Sequence, residues 1–533
     1  MPVNQAALTA LGRPAAQEFP PQEPPEMTVP TAFERRGDVF QQMAGQTIGD
    51  PLNLISPQVS KAAELSARGA KALAPTMAEI IEEMAMKGVP VEGFSLKPAM
   101  APPSKRRIEK PVEEGRSLTP STPAPPVNIN DYVVSTRLPT AVKRTEDPLT
   151  QNLVVDYDTF QRDPDAFTHN MGLVNNYTNF GFKGTSKNQA DQAIEQIKDN
   201  LLFLHDAVPE QTRARSQLWY DGANRIANLL SNQYDISTPA ASGVMAVLSP
   251  QKDWFMNVSL GHRVIDIMKN QNTQPWDKEM QATAKRLFGN KPHMSAINQL
   301  AGKTLAELTD PIDKALWVRI YDEAKNPRNY HVVTPEGASS GLRLNKDGRE
   351  SSVAWGSTPE IAKAVKIFEN PDKATISKEL GEQHKVRNFY NNILDPNNPA
   401  GYATIDTHAV AAGLLRPLSG SSEEVLHNFG GNLKGSVGPK NSSVSGLQGT
   451  YALYNEAYRR AAEERGILPR QMQSITWEAV RGLFPDDLKR NTKKIQEISD
   501  VWRGVQDRRL TPQEARSQII DRAGGIDAPE WER

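Results

Sequence analysis

Apolar positions recur at helical spacing from about residue 150 to about residue 510. Over 188–208 they fall at Ala193, Ile194, Ile197, Leu201, Leu202 and Leu204. Over 209–234 they fall at Leu218, Trp219, Ala223, Ile226, Ala227, Leu229 and Leu230, and the spacing predicts two packed helices. Ser237-Thr-Pro239 places a capping residue and a first-turn proline ahead of residues 240–248, which are nearly all apolar or small. That composition predicts a helix buried on every side. Further helices are predicted over 253–269, 278–288, 311–324, 359–368, 383–394, 407–415, 450–466, 469–483 and 489–506. The period changes only at Tyr330–Val333, Gly341–Leu344 and Ser352–Trp355, separated by Gly and Pro turns, which predicts a small β insertion at about 330–355. No internal repeat is present, and the fold class is mainly α.

The first 130 residues follow another pattern. They hold about half of the chain's 40 prolines, including Pro20-Pro21, Pro24-Pro25 and Pro125-Pro126, a composition that resists a packed core. A disordered arm is expected there, with two short amphipathic helices in 56–87 broken at Pro75. The arm is either transient helix or a docking element for a protein partner. Its basic cluster, Lys105-Arg-Arg107, reads as solvated linker charge. The expected organisation is an arm (1–130), a helical domain (150–430), a helical C-terminal extension (431–510) and a tail (511–533).

Composition narrows the chemistry. The hydrophobic fraction is 38% and the mean hydropathy −0.55, low for 533 residues folded throughout. With 62 basic and 63 acidic residues the chain has no global field for nucleic acid, so such contact would need a local basic site. The absence of cysteine excludes disulfides, thiolate metal sites, cysteine nucleophiles and cysteine-ligated iron–sulfur clusters. No metal and no cofactor is expected. No run approaches the roughly 18 to 20 apolar residues of a membrane span, and the N-terminus lacks a signal-peptide pattern. These features predict a protein with no membrane partner that is not exported by a signal peptide.

The segment Tyr402-Ala-Thr-Ile-Asp-Thr-His408 carries the sharpest chemical signal, because an apolar approach delivers Asp406 to the start of an Ala-rich helix. A carboxylate there is either an N-cap or a group that stabilises positive charge or activates a nucleophile. Two further segments stand in register with it. Val247-Leu-Ser249-Pro-Gln251, followed by Trp254 and Asn257, resembles the Leu-Ser-x-Gln segment near the substrate pocket of helix-hairpin-helix DNA glycosylases. Leu380-Gly-Glu-Gln-His-Lys385 falls where that family has its hairpin and, in some members, a Schiff-base lysine, and Thr404-Ile-Asp-Thr-His408 is similar to its Val-Asp-Thr-His segment. The resemblance covers roughly residues 190–416.

It implies a glycosylase-like helical core, DNA as partner, Asp406 and Lys385 as catalytic groups, and Ser249, Gln251, Trp254, Asn257 and His408 as substrate contacts. The class it implies is a nucleic-acid base-processing enzyme. This includes base excision and the thymine hypermodification of the alpha-glutamyl/putrescinyl-thymine pyrophosphorylase group, which has been related to the same fold. Residues 468–481 look similar to segments of bacteriophage proteins, which implies the host cytoplasm or a virion as location. The sequence departs from the family's Gly-x-Gly phosphate-binding turn, because Gly381 is followed by Glu382 where the tight, amide-exposing turn needs small residues. Judged on the residues alone, Lys385 is also a solvated lysine and His408 a packed core histidine. Asp406 and His408, two apart, are expected to point in different directions on a helix. Trp254 is equally a core aromatic, and Gln251 a surface side chain. Tyr451, Tyr454 and Tyr458 form a core stripe, and the loop 430–441 reads as a connector. The other class consistent with the chain is a non-catalytic virion or interaction protein retaining the same fold.

Overall fold

The computed structural model describes residues 187–289, 294–381, 384–399, 401–429 and 450–532. The expected arm, its short helices, the basic cluster 105–107 and the loop 430–441 lie outside the described residues. Within them the chain is mainly helical. The first helices are α1 (Lys187–Ala207), α2 (Glu210–Ser216), α3 (Trp219–Tyr234), α4 (Thr238–Val247), α5 (Trp254–Asn270), α6 (Lys278–Phe288), α7 (Met294–Asn298) and α8 (Pro311–Lys325). A two-stranded antiparallel hairpin follows, β1 (His331–Val333) with β2 (Ser339–Leu342), in the register His331 to Leu342 and Val333 to Ser339 with an irregularity between them. Then come α9 (Thr358–Glu369), α10 (Lys373–Leu380), α11 (His384–Leu394), α12 (Thr407–Leu414) and α13 (Glu423–Asn428). The chain closes with α14 (Tyr451–Arg465), α15 (Pro469–Leu483), α16 (Asp486–Arg490), α17 (Thr492–Gln506) and α18 (Pro512–Ala523).

Local chemistry accounts for many of these boundaries. Ser237 accepts the Ala240 amide and Asp253 the Met256 amide, which starts α4 and α5 as N-caps. The predicted helix 209–234 divides at Gln217–Leu218, and 489–506 divides at Asn491, whose side chain caps α17. In place of a third strand, Ser352 forms a single bridge to Asn329. The hairpin is seated on α3 at a glycine pair: a β-carbon on Gly222 would lie 2.2 Å from the Pro335 carbonyl oxygen, so only glycine admits this approach.

Two hydrophobic cores form. The first is centred on α4, whose residues 239–247 are all buried, and α3, α5, α9, α10 and α11 pack around it. The second joins α1 and α12 to α14, α15, α17 and α18. The expected boundary at 430/431 is therefore not a packing boundary, because the supposed extension shares one core with the first and twelfth helices. The supposed tail also folds: Thr511 and Glu514 form a reciprocal capping box at α18, and Trp531, buried at 5% exposure, packs into the first core.

The stripe on α14 has a specific task. The Tyr451 hydroxyl accepts the Ile405 amide (3.0 Å) and the Asn388 side chain (3.0 Å) and donates to the Ala403 carbonyl (3.1 Å). One hydroxyl thus fills its full capacity of one donor and two acceptors. Asn455 accepts the Ala403 amide, and Tyr458 donates to the Ala409 carbonyl. Tyr451→Phe is expected to leave buried backbone groups of 403–405 unpaired and to cost roughly 1–3 kcal/mol, read from the urea midpoint at unchanged m-value.

Candidate active site

An open pocket of about 620 Å³ lies where the two cores meet. Trp219, Tyr220 and Ala223 of α3 form one part of its wall, and Ser249 and Lys252 come from the turn between α4 and α5. Trp254 and Asn257 come from α5, Lys385 and Phe389 from α11, Thr404 and Asp406 from the approach to α12, and Gln473, Ser474 and Trp477 from α15. Segments distant in sequence thus converge, and α15, packed against both α3 and α12, closes the site.

Asp406 is the N-cap of α12. One oxygen, Oδ1, accepts the Ala409 amide at 2.8 Å, while Oδ2 stands 3.7 Å from His408 Nδ1. The cap therefore occupies one carboxylate oxygen and leaves the other beside the His408 ring. Burial by itself would raise this carboxyl, but His408, the Lys385 charge and the Ala409 amide overcome it and hold the group at about 2. The expectation that Asp406 and His408 diverge is corrected. It assumed two helical residues, whereas Asp406 has extended backbone (φ −111°, ψ −171°) ahead of the first turn. His408 also touches the edge of Trp477, with ring centroids 5.9 Å apart. Burial pushes its imidazole below the usual histidine range against the opposing pull of Asp406, with Lys489 and Arg481 adding to the shift.

Lys385 makes no hydrogen bond or ion pair with the described residues. Burial pushes its ammonium below the usual lysine range against the opposing pull of Asp406 and Glu360. The hairpin before it departs from a phosphate-binding turn in a definite way. The Gly381 amide donates to the Lys378 carbonyl at 3.1 Å, and buried Arg387 ties the Gly381 and Ser377 carbonyls together. That amide is spent inside the protein.

The pocket wall holds unspent hydrogen-bonding groups. Ser249 Oγ, Trp254 Nε1 and Asn257 Oδ1 are buried and have no protein partner, although the Asn257 amide nitrogen donates to the Met245 carbonyl at 2.8 Å. Around them the aromatic rings meet edge to face: Trp219 with Trp254 at 83°, Trp219 with Trp477 at 81°, and Trp254 with Phe389 at 90°. Trp219 is anchored from behind, because its indole N–H and that of Trp531 both donate to Glu478 Oε1 at 3.1 Å. Burial raises the Glu478 carboxyl.

Of the seven side chains singled out in the sequence, Ser249, Trp254, Asn257, Lys385 and Asp406 meet in this wall, and His408 stands behind Asp406. Gln251 is not part of it. It is exposed and occupies the left-handed region (φ 56°), which turns its side chain out of the α4–α5 connection. Its neighbour Lys252 lines the pocket instead. Tyr220, Phe389, Gln473 and Ser474 were not legible as site residues, since each sits within a helix whose periodicity assigns it only to packing. Buried polar side chains at Gln473 and Ser474, on an otherwise apolar face, were the available signal. Among the described residues no three His, Cys, Asp or Glu side chains gather to hold a metal ion, and no helix is long and apolar enough to cross a membrane.

Residues 184–299 and 434–484 match a family model described as Family of unknown function (DUF7178). The two matched segments supply α3, the α4–α5 turn, α5 and α15, whereas Lys385 and Asp406 fall between them. No curated protein and no solved structure matches the chain.

Two outcomes are expected of the site itself. Asp406 has a lowered carboxyl, so its stabilisation is present above the ordinary carboxylate range, near pH 4, and is lost as pH falls toward 2. Asp406→Asn keeps a capping side chain, costs about 1–2 kcal/mol at neutral pH, and shows a shrinking deficit in urea titrations repeated below about pH 4. Lys385→Met, which removes a half-buried amine that makes no hydrogen bond or ion pair with the described residues, is expected to stabilise the fold by about 1 kcal/mol, seen as a higher Tm.

Proposed function

We propose that this protein is a nucleic-acid base-processing enzyme in which Asp406 is the catalytic carboxylate. The observation that carries this reading is the division of labour on Asp406. One oxygen caps α12, while the carboxylate stays ionised and lines a pocket walled by indole rings and unspent hydrogen-bonding groups. A capping role alone asks for neither the open pocket nor the unpaired groups around it. A planar base extruded from a strand matches the site's chemistry. Aromatic faces stack on it, while the Trp254 N–H, the Ser249 hydroxyl and the Asn257 carbonyl oxygen offer donors and an acceptor to its edge.

In this reading the Asp406 anion stabilises the positive charge that develops on the deoxyribose as the bond to the base weakens, or it orients the group that attacks. Lys385 is the amine within the same pocket. Burial favours its neutral form, the form in which it accepts a proton or attacks. Base excision and transfer to a modified pyrimidine are both reactions of this kind, and DNA is the proposed partner. The glycosylase resemblance supports this reading through the order of its segments, six of whose residues, Ser249, Trp254, Asn257, Lys385, Thr404 and Asp406, line the pocket.

The capping bond supports a second reading, a binding or virion protein whose Asp406 serves only α12. Nucleoside mass spectrometry on DNA carrying normal, damaged, hydroxymethylated and pyrophosphorylated pyrimidines, with candidate amines added, separates the two. The expected result is a released base or a mass-shifted nucleoside that falls at least about a hundredfold in Asp406→Asn. An unchanged nucleoside profile on every substrate, from protein shown to be folded, would sink the enzymatic reading.

A further inference from the structure

Lys252 has no part in the chemistry above, yet its position is closely specified. It ends the turn in which Gln251 takes a left-handed conformation and the Lys252 amide donates to the Ser249 carbonyl at 3.3 Å. Both carboxylates that could neutralise it are engaged elsewhere. Asp253 Oδ1 caps α5 at the Met256 amide (2.8 Å), and its Oδ2 faces the Tyr330 hydroxyl (3.3 Å) and Arg343 (3.4 Å). Glu360 turns Oε2 back onto the Ser357 amide (3.1 Å) as part of the capping box that starts α9. Neither lies within ion-pair distance of Lys252, although both act on it through space.

Lys385 on α11 also lines the pocket, and Glu360 acts on it through space as well. The pocket wall thus has two lysines against a single acidic side chain, Asp406. Cations in a partly apolar cleft are costly without a contact partner, and a neutral base supplies no counter-charge. On the same turn, the Ser249 hydroxyl belongs to a residue only 5% exposed and has no hydrogen-bond partner among the described residues. An ammonium and an unspent hydroxyl on one turn are the donors that a phosphate oxygen accepts from.

We infer that the pocket takes a nucleotide by both of its parts, the base among the indole rings and a phosphate held by Lys252 and the Ser249 hydroxyl. This rests on the reading that the pocket holds a base. Its consequence is a binding preference set by the phosphate, in which a nucleotide is favoured over the nucleoside that lacks it.

The test is calorimetric titration of the full chain with the four deoxynucleoside 5′-monophosphates, their nucleosides, inorganic phosphate and a dinucleoside monophosphate whose one phosphate is a diester. The best mononucleotide is expected to bind about tenfold or more tightly than its nucleoside. Lys252→Met should erase that margin without weakening the nucleoside or lowering the Tm, and Lys252→Arg should retain most of it. If the dinucleotide matches the mononucleotide and shows the same Lys252 dependence, the phosphate comes from a strand; if only the monoester binds, it comes from a free nucleotide. Equal affinity for nucleotide and nucleoside, no nucleotide binding at millimolar concentration, or an unaltered margin in Lys252→Met would each overturn the inference. Failure of the base-processing reading looks different: Lys252-dependent nucleotide binding with no Asp406-dependent change in DNA sinks that reading and leaves the phosphate site standing.

Discussion

The hydroxyl of Tyr451 is the point on which the arrangement of the site depends. The approach to Asp406 runs through buried, extended backbone with no neighbouring strand to satisfy it, and buried amides and carbonyls without partners are expensive. Tyr451 settles two of those groups at once, Asn455 a third, and Asn392 reaches the Tyr402 carbonyl at 2.9 Å and the Thr404 hydroxyl at 3.1 Å. Side chains of α11 and α14 therefore take the place of a β-sheet partner. The α12 helix they deliver is held at its far end as well, where Asn200 donates to the Gly413 carbonyl and Trp502 to that of Leu415. A β-carbon on Gly413 would come within 2.9 Å of Ile197, which explains how α1 and α12 approach so closely.

The pocket follows from the same constraint. Because α12 belongs to the second core and the α4–α5 turn to the first, the groups facing between them are not packed to closure by either. Each core satisfies its own interior and leaves a seam, and the polar atoms along that seam remain unspent. Glu478 shows how the seam is kept rigid. Buried in α15, it takes indole N–H groups from Trp219 in the pocket wall and from Trp531 near the end of the described chain, so the last residues brace the aromatic face without entering it. Lysines without an ion-pair partner among the described residues, and open aromatic walls, cost stability.

Helix periodicity was legible where one face is apolar and the other polar, which is why α6, α8 and α15 fall close to their expected bounds. Short elements were harder. The helix α10 has a capping aspartate, Asp372, and α18 a Thr-Pro-x-Glu start, yet neither offers enough turns for its period to stand out against its neighbours. The β insertion kept its place while losing its third strand. Ser352 meets Asn329 at a single bridge, and pairing ends there because the chain turns to bury Val353 and Trp355 in the first core.

Local chemistry written along the chain was enough to establish the helical class, the capping role available to Asp406, and the short segments around Ser249, Lys385 and Asp406 as places where chemistry concentrates. Capping, periodicity and turn preference act over a few residues, so they survive in one dimension. Long-range packing alone settled that Lys252 and not Gln251 faces the pocket, that Asp406 and His408 lie together, that α15 forms a wall of the site, and that α14 holds the approach to Asp406 and is not an appendage. Each of those outcomes turns on a backbone angle or a contact between residues far apart in the chain, such as Tyr451 with Ile405 or Trp219 with Glu478. No pattern of neighbouring side chains encodes them, because the energy that selects them comes from burying surfaces that meet only once the chain has folded.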